Sequence, residues 1–391
     1  MMYDFTSMIP RRNTDSIKWD VQPNELPMWV ADMDFKVAPE ILSAMRQKVD
    51  FGIFGYEEPH DDYFDAVANW YASEHHARPE RDWMIFSTGV VPTISSAVRR
   101  VTNVGDNVVV QAPVYNIFYN SIINNGRHVL SSDLAYDDTE HQYHIDYADL
   151  EQKLADPLST MMILCNPHNP IGKVWTRDQL IKINQLCLKH HVTLLSDEIH
   201  GDLVFQGNDY TPMFSLPSEL IQNIIVCVSP SKTFNVAALH AATVIIPNED
   251  LRNKVSRGIN TDELGEPNLL AIPGTIAAYT QGHQWVHELR EQIQKNVLLV
   301  TTFCEQSIPE VAIVHGTATY LMWIDVSQLT NDATKLETFI RQETGLFVSD
   351  GSVYRGNGHL FLRMNVASPT SMVKDGLNRL KTGIEKFKNL Q

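Results

Sequence analysis

Cysteine is scarce in this 391-residue chain, where only Cys165, Cys187, Cys227 and Cys304 occur, far apart and without C-x-x-C spacing. That excludes a metal or redox motif built on paired thiols. The first three sit in apolar stretches, so all four read as reduced core residues. Positive charge is also in deficit. Lys and Arg total 31 against 47 Asp and Glu, a net charge of −16. Such a balance argues against nucleic acid or an anionic membrane as partner and favours a small-molecule role. No apolar run is long enough to span a bilayer, and Met1-Met2-Tyr3-Asp4-Phe5 carries an early acid and no apolar stretch of signal length. The cytoplasm is therefore the expected location. Internal repeats and low-complexity tracts are missing as well.

What is present is enough apolar residue, 43% of the chain, for one large core and a smaller second one. Helical periodicity is expected at Pro39 to Val49 and at Asp61 to His76, where Phe64, Val67, Ala68 and Tyr71 share a face. Short apolar runs then follow at Asn107 to Gln111, Met161 to Cys165, Val192 to Ser196, Ile224 to Val228 and Thr243 to Ile246. They alternate with amphipathic stretches such as Arg177 to His190, the pattern of an α/β domain with a mainly parallel sheet covered on both faces. Strands around Tyr320 to Ile324 and Leu360 to Asn365, with helices at Thr334 to Glu343 and Met372 to Phe387, predict a separate α+β domain. The expected division is an N-terminal arm and part of the small domain at 1–45, a large domain at 46–283 and the rest of the small domain at 284–391.

In such sheets ligands gather where strands end. Val228-Ser229-Pro230-Ser231-Lys232-Thr233-Phe234 follows an apolar strand and puts a lysine between hydroxyl residues. Once desolvated, its amine can form a Schiff base with a carbonyl cofactor, and the hydroxyls can hold a phosphate. An ordinary solvated lysine is the alternative. The strand Val192 to Ser196 runs into Asp197-Glu198-Ile199-His200. A buried Asp197 is costly unless a cation pairs with it, and a protonated pyridine nitrogen is such a cation. A capping or loop aspartate would have no such role.

Cys165-Asn166-Pro167-His168-Asn169-Pro170-Ile171-Gly172 predicts a stiff loop, on which Asn169 can donate to a cofactor's phenolic oxygen or simply complete a turn. Phe86-Ser87-Thr88-Gly89-Val90-Val91-Pro92 precedes a helix expected near Pro92, whose free N–H groups suit a phosphate. Tyr115, after the strand ending at Gln111, can stack on a pyridine ring or pack at the edge of the core. Arg363 lies inside an apolar strand, where a substrate carboxylate or a neighbouring acid would satisfy it.

Six ordered segments resemble one family. They are Pro27-Met28-Trp29-Val30-Ala31-Asp32-Met33-Asp34-Phe35, Phe54-Gly55-Tyr56, Asn166-Pro167-His168-Asn169-Pro170, Ser196-Asp197-Glu198-Ile199-His200, Ser231-Lys232-Thr233-Phe234-Asn235 and Arg363-Met364-Asn365. Over essentially its whole length the chain resembles the fold-type I pyridoxal 5′-phosphate (PLP) enzymes of the class I/II aminotransferase superfamily. Within them it is most similar to the MalY/PatB-like cystathionine β-lyases.

The resemblance implies the PLP-dependent transferase fold, with a mainly parallel seven-stranded sheet in the large domain and a smaller α+β domain. It implies that Lys232 carries the cofactor as a Schiff base and removes the substrate Cα proton, that Asp197 pairs with the ring nitrogen, that Asn169 contacts the phenolic oxygen and that Tyr115 stacks on the ring. Ser229, Ser231 and the backbone at Val90 and Val91 would hold the phosphate, with Tyr56 reaching in from a partner subunit of a homodimer. Arg363, with Asn169 and Tyr56, would receive the amino-acid substrate. His200 stands where aminotransferases commonly have Tyr, which favours the lyase subgroup and leaves a direct contact of residue 200 with the ring open. No metal is implied.

The implied reaction is α,β-elimination of L-cystathionine, or of L-cysteine and related S-substituted cysteines, to a thiol, pyruvate and ammonia. An aminotransferase would use the same lysine, aspartate and arginine, so the catalytic residues alone do not separate the two. A PLP-dependent regulator fused to a DNA-binding segment is disfavoured by the acidic charge and by the lack of a basic helix-turn-helix.

Overall fold

The computed structural model describes residues 2–390. Its larger sheet has seven strands, ordered across the sheet as Met84–Ser87, Ala242–Ile245, Ile224–Val228, Thr193–Asp197, Ser159–Cys165, Asn107–Val110 and His128–Ser131. Ala242–Ile245 runs antiparallel to both of its neighbours. The other pairs are parallel.

Both faces of the sheet are covered, and the strands show why they read as unbroken apolar runs. Met161, Ile163 and Cys165 pack on one side with Val90, Ile94, Ala97 and Val98 of the helix Val90–Val101. Met162 and Leu164 alternate to the other side, where Phe64, Val67, Ala68 and Tyr71 of Asp61–His75 are all buried. With apolar partners above and below, period-2 alternation places apolar residues at every position.

A second, four-stranded antiparallel sheet is ordered Ala312–Ile313, Leu321–Asp325, Phe361–Asn365 and Ser349–Asp350. The helices Ala333–Thr344 and Thr370–Lys388 pack against each other beside it. The arm before Pro39 contains one short strand, Leu26–Pro27, which pairs in parallel with Leu346–Phe347. The observed elements shift the sequence-based bounds by one or two residues, and the helix expected near Pro92 starts at Val90. Lys232, directly after the strand Ile224–Val228, sits in a one-turn helix, Pro230–Thr233, started by Ser229 as N-cap and Pro230 at the first helical position.

All four cysteines are free and buried. No helix among the described residues is long and apolar enough to cross a membrane.

Candidate active site

The carboxyl ends of the central strands open on a cavity of about 600 Å³ that is lined by Lys232, Asp197, Asn169, Tyr115, His200, Ser231, Val90, Val91 and Arg363. Residues separated by up to 273 positions in sequence therefore meet at one place, as ligand sites in open α/β sheets do.

The position of Lys232 is fixed by a segment for which the sequence suggested no role. Its Nζ donates to the carbonyl oxygen of Ala31 at 2.6 Å, and the Tyr320 hydroxyl donates to the same oxygen at 3.1 Å. Burial, helped by the nearby Arg363 charge, pushes the amine down to about 8, so a sizeable neutral fraction exists near physiological pH. The rest of the run from Trp29 to Phe35 is bound to the site through its backbone. Asn365 Nδ2 donates to Val30 O at 2.5 Å and Asp32 O at 2.6 Å. Asn235 accepts from Met33 N at 3.0 Å and donates to Met33 O at 3.1 Å and Phe35 O at 2.9 Å. Asn235 takes φ 58°, the left-handed region that Asn tolerates better than most residues. The arm is further tied down by Lys18, which is 1% exposed and paired with the buried Asp34 at 2.6 Å.

Asp197 ends its strand 4% exposed, with only the Ile199 N–H on Oδ1 at 3.1 Å. Burial pushes its carboxyl up to about 7, and among the described residues no ion pair relieves it. Glu198 beside it is different: it accepts from Ser196 Oγ at 2.8 Å, Met213 N at 3.1 Å and Asn166 Nδ2 at 3.3 Å, and bonds the Tyr210 hydroxyl. Glu198 and Asn166 are thus scaffold. His168, fully buried and bonded to Pro113 O at 2.9 Å, is scaffold too, and burial pushes it down to about 4.

Arg363 is 5% exposed. Its Nη1 donates to Asn169 Oδ1 at 3.1 Å, and its Nη2 donates to Trp29 O at 2.9 Å and Ser349 Oγ at 3.4 Å. The guanidinium also lies 4.9 Å from the Tyr354 ring centroid. None of these partners is a carboxylate, and Nε has no partner among the described residues. A structural ion pair, the alternative open from sequence, is not what the fold provides.

Tyr115 faces the cavity with its edge packed on Phe118 at 5.6 Å between centroids, and burial, followed by the Asp197 charge, pushes its hydroxyl up to about 12. His200 also lines the cavity; burial, then the Lys232 and Arg363 charges, hold it down at about 3, and its buried Nδ1 has no partner among the described residues. The helix Val90–Val101 starts at Gly89 without a side-chain cap, leaving its N–H groups open toward the cavity.

Two expected residues are not brought to this cavity. Ser229 is 4% exposed beneath it, donating to Ala241 O at 2.7 Å and accepting from Ser231 N at 3.1 Å, so within the fold it supports Ser231. Tyr56 is 98% exposed and lies away from the cavity of its own chain. Sequence reasoning also missed Glu337, Asp350 and Phe347, which complete the cavity wall. No local motif marks them.

These residues fit PLP. Asp197 is a buried carboxylate lacking a cation, Arg363 is a buried cation lacking a carboxylate, Lys232 is a desolvated amine, and an uncapped helix start is available for a phosphate.

Comparison with known proteins gives the same picture. The family description "Aminotransferase class I and II" matches residues 26–380. The chain is 39% identical over 387 residues to cystathionine beta-lyase PatB of Bacillus subtilis, covering 97% of this chain and 100% of that protein. It is 31% identical over 391 residues to protein MalY of Escherichia coli, covering 98% and 99%. The crystal structure of cystalysin from Treponema denticola, which contains PLP, superposes with a TM-score of 0.95 at 34% identity, covering 100% of both chains.

Proposed function

Because this chain belongs to the aminotransferase class I and II family, we propose, from its site and its relatives, that it is a PLP-dependent carbon–sulfur β-lyase. It releases a thiol, pyruvate and ammonia from S-substituted cysteines, with L-cystathionine the proposed substrate. The observation that carries this reading is the convergence of Lys232, Asp197 and Arg363 on one cavity, where Asp197 is buried without a salt-bridged cation, Arg363 is buried without a carboxylate, and Lys232 is a half-buried amine.

Lys232 would hold the cofactor through its amine and would take the substrate Cα proton, a task suited to an amine pushed down to about 8. PLP, when bound, would supply an electron-poor ring as the sink for the electron pair left at Cα. Asp197 would keep the ring nitrogen protonated, Asn169 would donate to the phenolic oxygen and Tyr115 would pack on the ring. The N–H groups at Val90 and Val91, with Ser231, would hold the phosphate. Arg363 binds the substrate carboxylate in two-pronged fashion, fixing the Cα–H bond relative to Lys232.

A homodimer is part of the reading. Phe51, Ile53, Phe54 and Tyr56 are 67%, 62%, 67% and 98% exposed along one stretch, an apolar surface suited to a second copy of the chain. We place the protein in the cytoplasm and keep the domain bounds 1–45, 46–283 and 284–391. The pairing of Leu26–Pro27 with Leu346–Phe347 supports grouping the arm with the C-terminal part.

The rival is an aminotransferase, whose amine form of the cofactor needs a keto acid to return. The purified holoenzyme should turn over L-cystathionine repeatedly with no keto acid added, giving pyruvate, ammonia and thiol in equal amounts. A single turnover that resumes only on adding a keto acid would make it an aminotransferase.

A further inference from the structure

The wall of the cavity formed by the C-terminal part carries a carboxylate that neither PLP nor the substrate carboxylate explains. Glu337 lines the cavity, is only 9% exposed, and its Oε1 is buried with no partner among the described residues. Its other oxygen receives one long hydrogen bond, from Thr338 Oγ1 at 3.5 Å.

Helix spacing offers Glu337 an obvious cation in Arg341, four residues on in Ala333–Thr344. The fold denies it that partner. Arg341 is turned to Glu25, with Nε to Oε1 at 2.6 Å and Nη2 to Oε2 at 3.1 Å, and its guanidinium lies 3.6 Å from the Phe347 ring centroid. Asp350, on the same wall, is satisfied by Thr334 Oγ1 at 2.7 Å and Ser352 N at 2.9 Å. Burial, reinforced by Asp350 and Glu25 against the opposing Arg341 charge, pushes the Glu337 carboxyl up to about 7. A buried acid in this position is costly unless a ligand completes it.

The cavity is therefore bipolar. Arg363 presents positive charge for an amino-acid carboxylate, Glu337 presents an acid whose Oε1 has no hydrogen-bond partner among the described residues, and Trp29, Phe347 and Val353 add apolar surface suited to a thioether. We propose that Glu337 is a specificity residue that binds an ammonium group on the leaving-thiol side of the substrate, so that the enzyme prefers S-substituted cysteines with a cation beyond the sulfur. This inference rests on the lyase reading above and names the substrate class for that site. The homocysteine half of L-cystathionine carries such an ammonium.

The test compares S-(2-aminoethyl)-L-cysteine with S-propyl-L-cysteine, which replaces the terminal ammonium by a methyl group of similar size. The wild-type holoenzyme should show the higher kcat/KM on the aminoethyl compound. In Glu337→Gln the ratio of the two should fall by about tenfold or more, the loss of one charge-assisted contact. Glu337→Met, of similar length, should behave alike. Calorimetric titration of the holoenzyme with L-lysine and L-norleucine, neither of which has a sulfur to expel, should show the same Glu337-dependent preference. A wild-type ratio of one or less, or a ratio unchanged in both variants, overturns the proposal. If the wild type cleaves neither thioether, the lyase reading fails, and the calorimetric preference alone decides the role of Glu337.

Discussion

Arg363 donates from Nη1 to Asn169 Oδ1 at 3.1 Å, and this bond determines which end of the Asn169 amide faces the cavity. A guanidinium has no acceptor, so the amide must offer it oxygen, leaving Nδ2 free for the donor role toward the cofactor proposed above. The residue proposed to bind the substrate carboxylate thus also orients the residue proposed to contact the phenolic oxygen. Replacing Asn169 by Asp should damage both roles. The new carboxylate would pair with Arg363 in the substrate's place, and the donor to the cofactor would be lost. KM should rise at least about tenfold, and Arg363→Ala should raise it by about a hundredfold. Steady-state kinetics check both, and an Asn169→Asp enzyme with unchanged KM would sink the coupling.

Asp197 predicts opposite consequences for stability and for catalysis. Burial raises its carboxyl from 3.8 to about 7 in the fold, so between those values the unfolded chain binds fewer protons than the folded one. Apoenzyme stability contributed by this group therefore falls as pH rises through that window and levels off above it. Asp197→Asn removes this contribution. On going from pH 5 to pH 8, the variant apoenzyme should gain about 3 kcal/mol on wild type, read from denaturant melts at the two pH values. The same substitution should lower kcat far more than it raises KM, because a neutral amide cannot hold the ring nitrogen's proton. A kcat within about threefold of wild type, a difference of only ~0.7 kcal/mol, would remove Asp197 from that role.

Lys232→Ala should abolish turnover while the protein still binds PLP through the start of Val90–Val101 and Ser231. In wild type, borohydride reduction followed by peptide mapping should place the pyridoxyl group on Lys232. A label on another lysine would overturn the assignment.

The parts of the site that were legible in sequence are those that follow directly on strands. Asp197, Asn169 and Lys232 each sit at or just past an apolar run, so strand direction alone carries them to one edge of a sheet, whereas Arg363 stood out as a charge inside an apolar strand, which belongs to the smaller sheet. The alternating strands and helices were legible for the same reason. The run from Trp29 to Phe35 could be matched but not explained, because it acts through backbone carbonyls such as Ala31 O and Trp29 O, and carbonyls leave no trace in side-chain identity. Glu337 lies on the ordinary face of an amphipathic helix, and only the diversion of Arg341 to Glu25, more than 300 residues away in sequence, isolates it.

Tyr56 is 98% exposed in a stretch with three other exposed large apolar residues, and the proposal above has it serve a second copy of the chain. Its contribution can be separated from that of Lys232 by subunit mixing. If each site is shared, mixing inactive Tyr56→Phe and Lys232→Ala subunits should restore part of the activity, because one of the two hybrid sites regains both residues. Sedimentation should show a dimer before and after mixing. Confirmed exchange without recovery would mean that each site is built within one chain.

Asp202 supplies the last prediction, through its bond to the residue that follows Lys232. The carboxylate is 3% exposed and accepts from Thr233 Oγ1 at 2.7 Å, Trp70 Nε1 at 2.8 Å and His75 Nε2 at 2.6 Å. Its backbone oxygen accepts from Arg290 Nε at 2.6 Å. Burial opposes ionisation here, yet the bond to His75 and the His75 and Arg290 charges hold the carboxyl below its usual value. A depressed acid contributes stability that is present above its unfolded pKa and is lost as pH falls through the folded one. Asp202→Asn should therefore destabilise the protein by about 3 kcal/mol at pH 7, with the gap to wild type closing as the medium is acidified. Loosening Thr233 also lets the one-turn helix Pro230–Thr233 shift, so kcat should fall while KM stays close to wild type, since Arg363 and Asn169 are untouched. Melting curves across pH and kinetics on the same preparation read both effects. An equal change in kcat and KM, or a stability gap that does not narrow in acid, would show that Asp202 does not position Lys232 in this way.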